Sequence, residues 1–247
     1  GEERFRREHE CEFLIFDETL ISSIVLADME GIPPVETTGQ VRWFKRPTSG
    51  HTYMVSLDPS MGTGGDYAAI QVFELPTFEQ VGEWHHNQTP MNQQVRILQG
   101  INKHIHDTIM EQDATATPQI FYSMENNSIG EAALMRVMDI GEENIMGMFL
   151  SEPIRKGHRR KFRRGFNTTA KHKIDACTKF KELVENDKMK INSQLLISEM
   201  KDFVATGLSY KAKPGQHDDL ASACLLMTRM MKVLADFDPK IFEKWTD

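Results

Sequence analysis

No stretch of this chain runs apolar for long enough to span a membrane, and its N-terminus lacks the pattern of a secretion signal. Cysteine is scarce. Cys11, Cys177 and Cys224 are odd in number and far apart, which excludes a disulfide framework and a cysteine-built zinc site and fits a reducing cytoplasm. There is no H-E-x-x-H pair, so His85-His86 at a strand end and His104 and His106 on a helix read as surface or packing residues. No G-x-x-x-x-G-K-[ST] loop occurs, which excludes a nucleotide-hydrolysing site of that type. Internal repeats and low-complexity tracts are also missing. Gly1 stands where an initiator Met is usual, followed by the charged run Glu2-Glu3-Arg4; this reads as a fragment of a longer chain. Methionine is abundant, and several of the 15 lie in helix stripes as core filling.

The net charge of −7 by itself argues against a nucleic-acid partner. Its distribution reverses the argument. Arg155, Lys156, Arg159, Arg160, Lys161, Arg163, Arg164, Lys171 and Lys173 fall within one stretch that holds no Asp or Glu. Taking that +9 away from −7 leaves −16 on the rest of the chain. A basic stripe on an acidic body is either a groove for phosphates beside a carboxylate site or a solvated loop.

Hydrophobic patterning sets out the elements. Residues 1–40 hold a charged helical piece and an apolar run that ends at Ile32-Pro33-Pro34, and read as a linker or the end of a preceding domain. The body, 41–247, opens with three strands on short connections: 53–57, ending at Asp58-Pro59, then 67–75 and 78–85. A helix over 92–112 carries Val95, Leu98, Ile101, Ile105 and Ile109 on one face. Strand 119–124, helix 128–138 and strand 145–150 follow, then the basic stretch, helices over 169–186 and 193–204, a Lys213-Pro214-Gly215 break and a last helix over 217–234. A meander followed by alternating strands and helices predicts an α/β fold, a mixed sheet with helices on both faces. The order is similar to the ribonuclease-H-like (resolvase/integrase-type) fold, whose acids sit at the ends of the first and fourth strands and at the start of the last helix.

Acids occupy those places here: Asp58, Glu125 and the pair Asp218-Asp219. Singly, each has a plain explanation as a turn former, a helix-entry charge or a cap. Jointly they match a need of phosphodiester hydrolysis, in which two divalent ions about 3.5–4 Å apart stabilise the attacking and leaving oxygens. Mg²⁺ (with Mn²⁺ as substitute) takes carboxylate oxygens and water rather than nitrogen or sulfur. Helix geometry separates the adjacent pair. Asp219 lies on the flank of the stripe Leu220, Cys224, Met227 and Met231 while Asp218 points nearly opposite, so Asp219 is the principal ligand and Asp218 the reserve.

The runs Ser56-Leu57-Asp58-Pro59-Ser60-Met61-Gly62-Thr63-Gly64-Gly65-Asp66-Tyr67, Glu125-Asn126-Asn127-Ser128-Ile129-Gly130 and His217-Asp218-Asp219-Leu220 resemble the nuclease motifs of terminase large subunits from T-even-like tailed phages. The likeness runs in order over nearly the whole chain. It implies that Asp58, Glu125 and Asp219 are the catalytic acids. Asp66 falls at a further acidic position, holding a metal-bound water or fixing the glycine turn, and His217 is placed to orient a carboxylate or water. Lys171 and Lys173 resemble basic residues at that point of the family. The implied function is metal-dependent cutting of concatemeric double-stranded viral DNA during genome packaging, with little sequence preference, in the host cytoplasm. The implied partners are DNA and, in the full-length protein, an N-terminal ATPase motor, the portal and the small terminase subunit. A Holliday-junction resolvase, an RNA–DNA hybrid nuclease, and a DNA-gripping module with a vestigial site are the competing readings.

Overall fold

The computed structural model describes residues 18–153 and 164–237. At its centre is a seven-stranded sheet of order β1-β2-β5-β4-β3-β6-β7. The strands are β1 (Glu36–Thr38), β2 (Val41–Trp43), β3 (Thr52–Asp58), β4 (Ala68–Leu75), β5 (Glu79–His86), β6 (Gln119–Met124) and β7 (Met148–Phe149). β3 runs parallel to β6 and β6 to β7; every other neighbouring pair is antiparallel. The mixed direction read from the sequence is thus present. β3 sits between β4 and β6, and Tyr53 through Leu57 are all buried, as a strand covered on both faces requires.

The helices divide between the faces. On one side α2 (Met91–Gln112) and α3 (Ser128–Ile140) pack on Tyr53, Val55, Leu57 and Tyr122. On the other, α4 (Ala170–Glu185), α5 (Gln194–Asp202) and α6 (Asp219–Phe237) cover Met54, Ala69, Phe73 and Phe121. Side-chain caps fix three starts. Asn127 accepts from the Gly130 N–H, Thr169 from that of His172 and Ser193 from that of Leu196. α6 lies across β3 and β4; its carbonyl at Ala223 accepts from Ser56 Oγ at 2.8 Å, tying the helix to β3.

Three elements differ from the sequence reading. The strand expected over 145–150 shrinks to Met148–Phe149, because Glu142–Asn144 wind into a 3₁₀ turn first. The helix expected to reach 204 stops at Asp202, and Phe203–Thr206 (β8) pairs with Ser209–Ala212 (β9) as a hairpin. Its two-residue turn is Gly207-Leu208 with Gly207 at φ +61°, a Gly-X signal that the apolar Phe203-Val204 continuation masked. The last helix begins at Asp219 rather than His217. The segment expected to be linker also has structure in its described part. A short helix α1 (Ser23–Asp28) lies beside α5, Leu20, Ile21 and Leu26 are buried in the core, and β1 and β2 extend the sheet edge through a turn at Gly39, φ +62°.

Candidate active site

The sheet register places the first two acids. β3 and β6 pair in parallel with Leu57 opposite Met124, and the Glu125 N–H donates to Leu57 O at 3.1 Å. The next residue on each strand is therefore Asp58 beside Glu125, and neighbours at one register of a parallel pair face the same side. Their carboxyl groups lie within hydrogen-bonding reach of one another. Glu125 is also held by Asn127, whose Nδ2 donates to Glu125 Oε2 at 2.9 Å while its Oδ1 caps α3. One side chain thus fixes both a helix start and a candidate ligand.

The helix end supplies the other two. The Asp218 carboxylate accepts from the Ala212 N–H at 3.1 Å and lies 4.0 Å from Lys173 Nζ. Asp219 is the first residue of α6; it accepts from the Tyr67 N–H, and its Oδ2 is 3.6 Å from His217 Nδ1. Asp66 is exposed and adds its charge to the field on Asp219. Asp58 feels Asp219 more strongly than Asp218. Only Asp58 and Glu125 are in contact, however. Among the described residues no three His, Cys, Asp or Glu side chains stand close enough to hold an ion between them as arranged.

Asp58 and Glu125 open onto a pocket of ≈ 140 Å³ that is also lined by Thr168, Lys173, Ser222, Leu225 and Leu226. Of the basic residues singled out by sequence, Arg155, Lys156, Arg159, Arg160, Lys161 and Arg163 lie outside the described residues. Lys171 is exposed on the first turn of α4, and Lys173 reaches the pocket with its ammonium 5.6 Å from the Phe203 ring centroid. Arg164 is engaged differently, ion-paired with Glu142 and over the Phe149 ring. The chain around it returns to the end of β6. Asn126 N–H donates to Phe166 O at 2.7 Å, Phe166 N–H to Met124 O at 3.1 Å, and Asn126 Nδ2 to Arg164 O at 2.7 Å.

Crowded negative charge dominates the electrostatics. The Asp58 carboxyl is held well above the usual carboxylate range, first by enclosure away from water, then by the charge of and hydrogen bond to Glu125, then by Asp219 and Asp218. Asp219 is pushed up to about 6, by burial first and the Asp218 charge second. Glu199, on α5, accepts from the Ala221 N–H at 3.0 Å in the first turn of α6 and is pushed up to about 9, chiefly by burial. His85 stacks on Tyr67 with ring centroids 4.0 Å apart and is lowered to about 4 by burial. Its 3.7 Å approach to Glu199 therefore joins two neutral groups at pH 7, not an ion pair.

Glu199, Thr168, Asn127 and Arg229 take part in this region without having been singled out by the sequence reading. Asn127 was legible, as an Asn directly before the helix expected from Ser128. Glu199 sits among apolar α5 positions, where a carboxylate is a signal only if its partner helix is known. Thr168 carries no pattern of its own.

An all-oxygen set in which two carboxyls touch, with Asp218 and Asp219 adding charge, is chemistry that fits a hard divalent cation. Residues 55–230 match the model of the Terminase RNaseH-like domain family. Solved structures agree in fold. The large terminase nuclease of thermophilic phage G20c with bound magnesium aligns at TM-score 0.61 and 16% identity, over 86% of this chain and 97% of that one. The Thermus phage P74-26 large terminase nuclease domain aligns at TM-score 0.57 and 16% identity, over 82% and 92%. The human cytomegalovirus terminase nuclease domain, manganese-soaked and inhibitor-bound, aligns at 0.53 and 12%, over 91% and 99%. With the match spanning most of the sheet and all four acids, this chain belongs to the Terminase RNaseH-like domain family.

Proposed function

We propose that this domain is a divalent-metal-dependent endonuclease that cuts double-stranded DNA, with concatemeric viral DNA during genome packaging as its substrate. The observation that carries the reading is the contact between Asp58 and Glu125 at the ends of adjacent parallel strands, in a pocket they share with Lys173. Asp58, Glu125 and Asp219 would hold a pair of divalent ions, with Asp218 in reserve. Magnesium, bound in the G20c nuclease, would supply a more acidic water and charge stabilisation at the phosphate, and manganese would substitute. The chain's own part is to fix carboxylate oxygens on one rim, to place the Lys173 ammonium beside them, and to exclude bulk water with Leu225 and Leu226. Asp66 and His217 flank Asp219 and would orient it or a bound water. Residues 1–40 would lead from an ATPase motor, and the portal and small terminase subunit would be partners of the full-length protein.

The test is supercoiled plasmid incubated with the purified domain and Mg²⁺, Mn²⁺ or EDTA. Nicked and linear products with either metal and none with EDTA are expected. Plasmid bound but uncut in both metals would overturn the reading in favour of a DNA-gripping module. Cutting confined to four-way junctions or RNA–DNA hybrids would do so in favour of the other nucleases of this fold.

The basic stretch gives a second measurable expectation. Replacing Arg159, Arg160, Arg163 and Arg164 with Gln should weaken duplex binding and flatten its salt dependence by about one log–log unit for each phosphate left without its cation. Arg164, already paired with Glu142, should contribute least. A slope unchanged in the quadruple variant would show that these side chains do not follow the backbone.

A further inference from the structure

We infer that Arg229 is a positioning residue for DNA binding: one guanidinium, from the helix that carries Asp219, holds both described flanks of residues 154–163 against the rim of the pocket. Arg229 Nη1 donates to Thr168 Oγ1 at 2.9 Å, and Nη2 to Asn167 O at 3.1 Å and to the Glu152 carboxylate. The guanidinium carbon lies 5.2 Å from the Phe166 ring centroid. Glu152 belongs to the entering flank; Phe166, Asn167 and Thr168 belong to the leaving one. The flanks are also joined directly, Glu152 N–H donating to Gly165 O at 3.2 Å and Asn167 N–H to Glu152 Oε2 at 3.4 Å. His172 Nδ1 donates to the same Asn167 carbonyl at 2.8 Å.

The side chain of Arg229 is only 13% exposed. With both terminal nitrogens engaged and Glu152 offsetting its charge, it is not itself a phosphate contact. What it sets is the position of Thr168, which lines the pocket with Asp58 and Glu125, and the start of α4, from which Lys171 and Lys173 project. The planar fork matters because three acceptors are met at once; a lysine ammonium on a flexible stem cannot reproduce that geometry.

The cleavage arm of the test rests on the nuclease activity proposed above; the binding arm rests only on the affinity for duplex DNA that belongs to the same reading. Fluorescence anisotropy with a labelled 30-base-pair duplex in EDTA, and cleavage kinetics with Mn²⁺, would compare wild type with R229M, R229K and E152Q. R229M should raise Kd and KM by about tenfold while kcat changes by less than about threefold. R229K should resemble R229M, and E152Q, which takes the charge and one of the two acceptor oxygens that meet Arg229 and the Asn167 N–H, should shift Kd in the same direction. The double variant should be no weaker than R229M alone, because the two residues act as a unit.

Wild-type affinity in folded R229M or R229K would overturn the inference, the latter by showing that charge alone suffices. If R229M does not fold, E152Q decides: an unchanged Kd there overturns the clamp. Wild-type protein that binds duplex without cutting would sink the nuclease reading while leaving the binding comparison intact.

Discussion

Asp58→Asn should cut plasmid at less than about one-thousandth of the wild-type rate, with duplex affinity unchanged within about twofold. The substitution is nearly isosteric and keeps one oxygen, so the backbone of β3 and its pairing with β4 and β6 have no reason to move. What it removes is the capacity of this carboxyl, which touches Glu125 and feels both Asp219 and Asp218, to give up its proton and present a charged oxygen to a cation. Because it stands in the middle of that group, its loss takes an oxygen from any ion held between the strand ends. The opposite outcome is equally clear. Activity above about a tenth of wild type would place the chemistry elsewhere.

The same substitution should not destabilise the fold. Crowding four acids at one sheet end costs stability when no cation offsets them, so D58N in EDTA should melt no lower than wild type at pH 7. The sign with pH follows from the raised carboxyls. Asp219 moves from an ordinary 3.8 to about 6 and Glu199 from 4.5 to about 9. The fold favours their uncharged forms, so their stabilising contribution is full below the unfolded values and lost as pH climbs through the folded ones. Carboxyls pulled down by partners, Glu79 and Asp107, act oppositely but only below about pH 4.5; His85, lowered from 6.5 to about 4, opposes the fall as far as about pH 6.5, where it stands alone against Asp58, Asp219 and Glu199. Wild-type melting temperature in EDTA should therefore fall from pH 5 to pH 8. Mg²⁺ should raise it for wild type more than for D58N, because only a bound ligand stabilises the native state. A flat or rising profile in EDTA would contradict this account of the site.

How much of this was legible beforehand varies with the range of the interaction responsible. β3, β6 and the helices were visible because burial on both faces, or on one stripe, writes itself into local patterning. Val95, Leu98, Ile101 and Ile105 announce α2 without any knowledge of what covers them. The acids at strand ends were visible for the same reason, since Asp58-Pro59 marks where β3 stops. The hairpin of β8 and β9 was not, because Phe203 and Val204 continue an apolar run from Met200 and only their pairing with Lys211 and Ala212 makes them a strand. β1 is invisible on similar grounds. All three of its residues are exposed, so it exists through its ladder with β2 and not through burial. The separation of Asp218 from Asp219 was half legible: helix phase puts Asp219 nearer Asp58, but only the fold shows Asp218 tied to Ala212 and Lys173. Residues that act through partners distant in sequence, Glu199 and Arg229 among them, carry no local signature at all.

Gly130→Ala should destabilise the domain by about 3 kcal/mol and lower its cleavage rate at least about tenfold, against the helix-propensity rule that favours alanine over glycine by about 1 kcal/mol. A Cβ at Gly130 would lie 1.8 Å from the Glu125 carbonyl oxygen and 2.8 Å from its carbon. That neighbour is backbone, and it is fixed from both sides: Glu125 N–H bonds Leu57 O and Asn126 N–H bonds Phe166 O. Either α3 lifts, breaking the Asn127 cap and its hold on Glu125, or the Glu125 peptide moves and takes the carboxylate with it. Both routes separate Asp58 from Glu125, so stability and activity fall together. Gly100 is the internal control. It lies exposed within α2 with nothing within 4 Å of its built Cβ, so Gly100→Ala should stabilise by about 0.5–1 kcal/mol with cleavage unaltered. Urea melts of the two variants beside wild type would settle the comparison. Equal, small, positive shifts for both would mean that Gly130 is merely a helix residue and that the closeness of α3 to the end of β6 does not constrain the site.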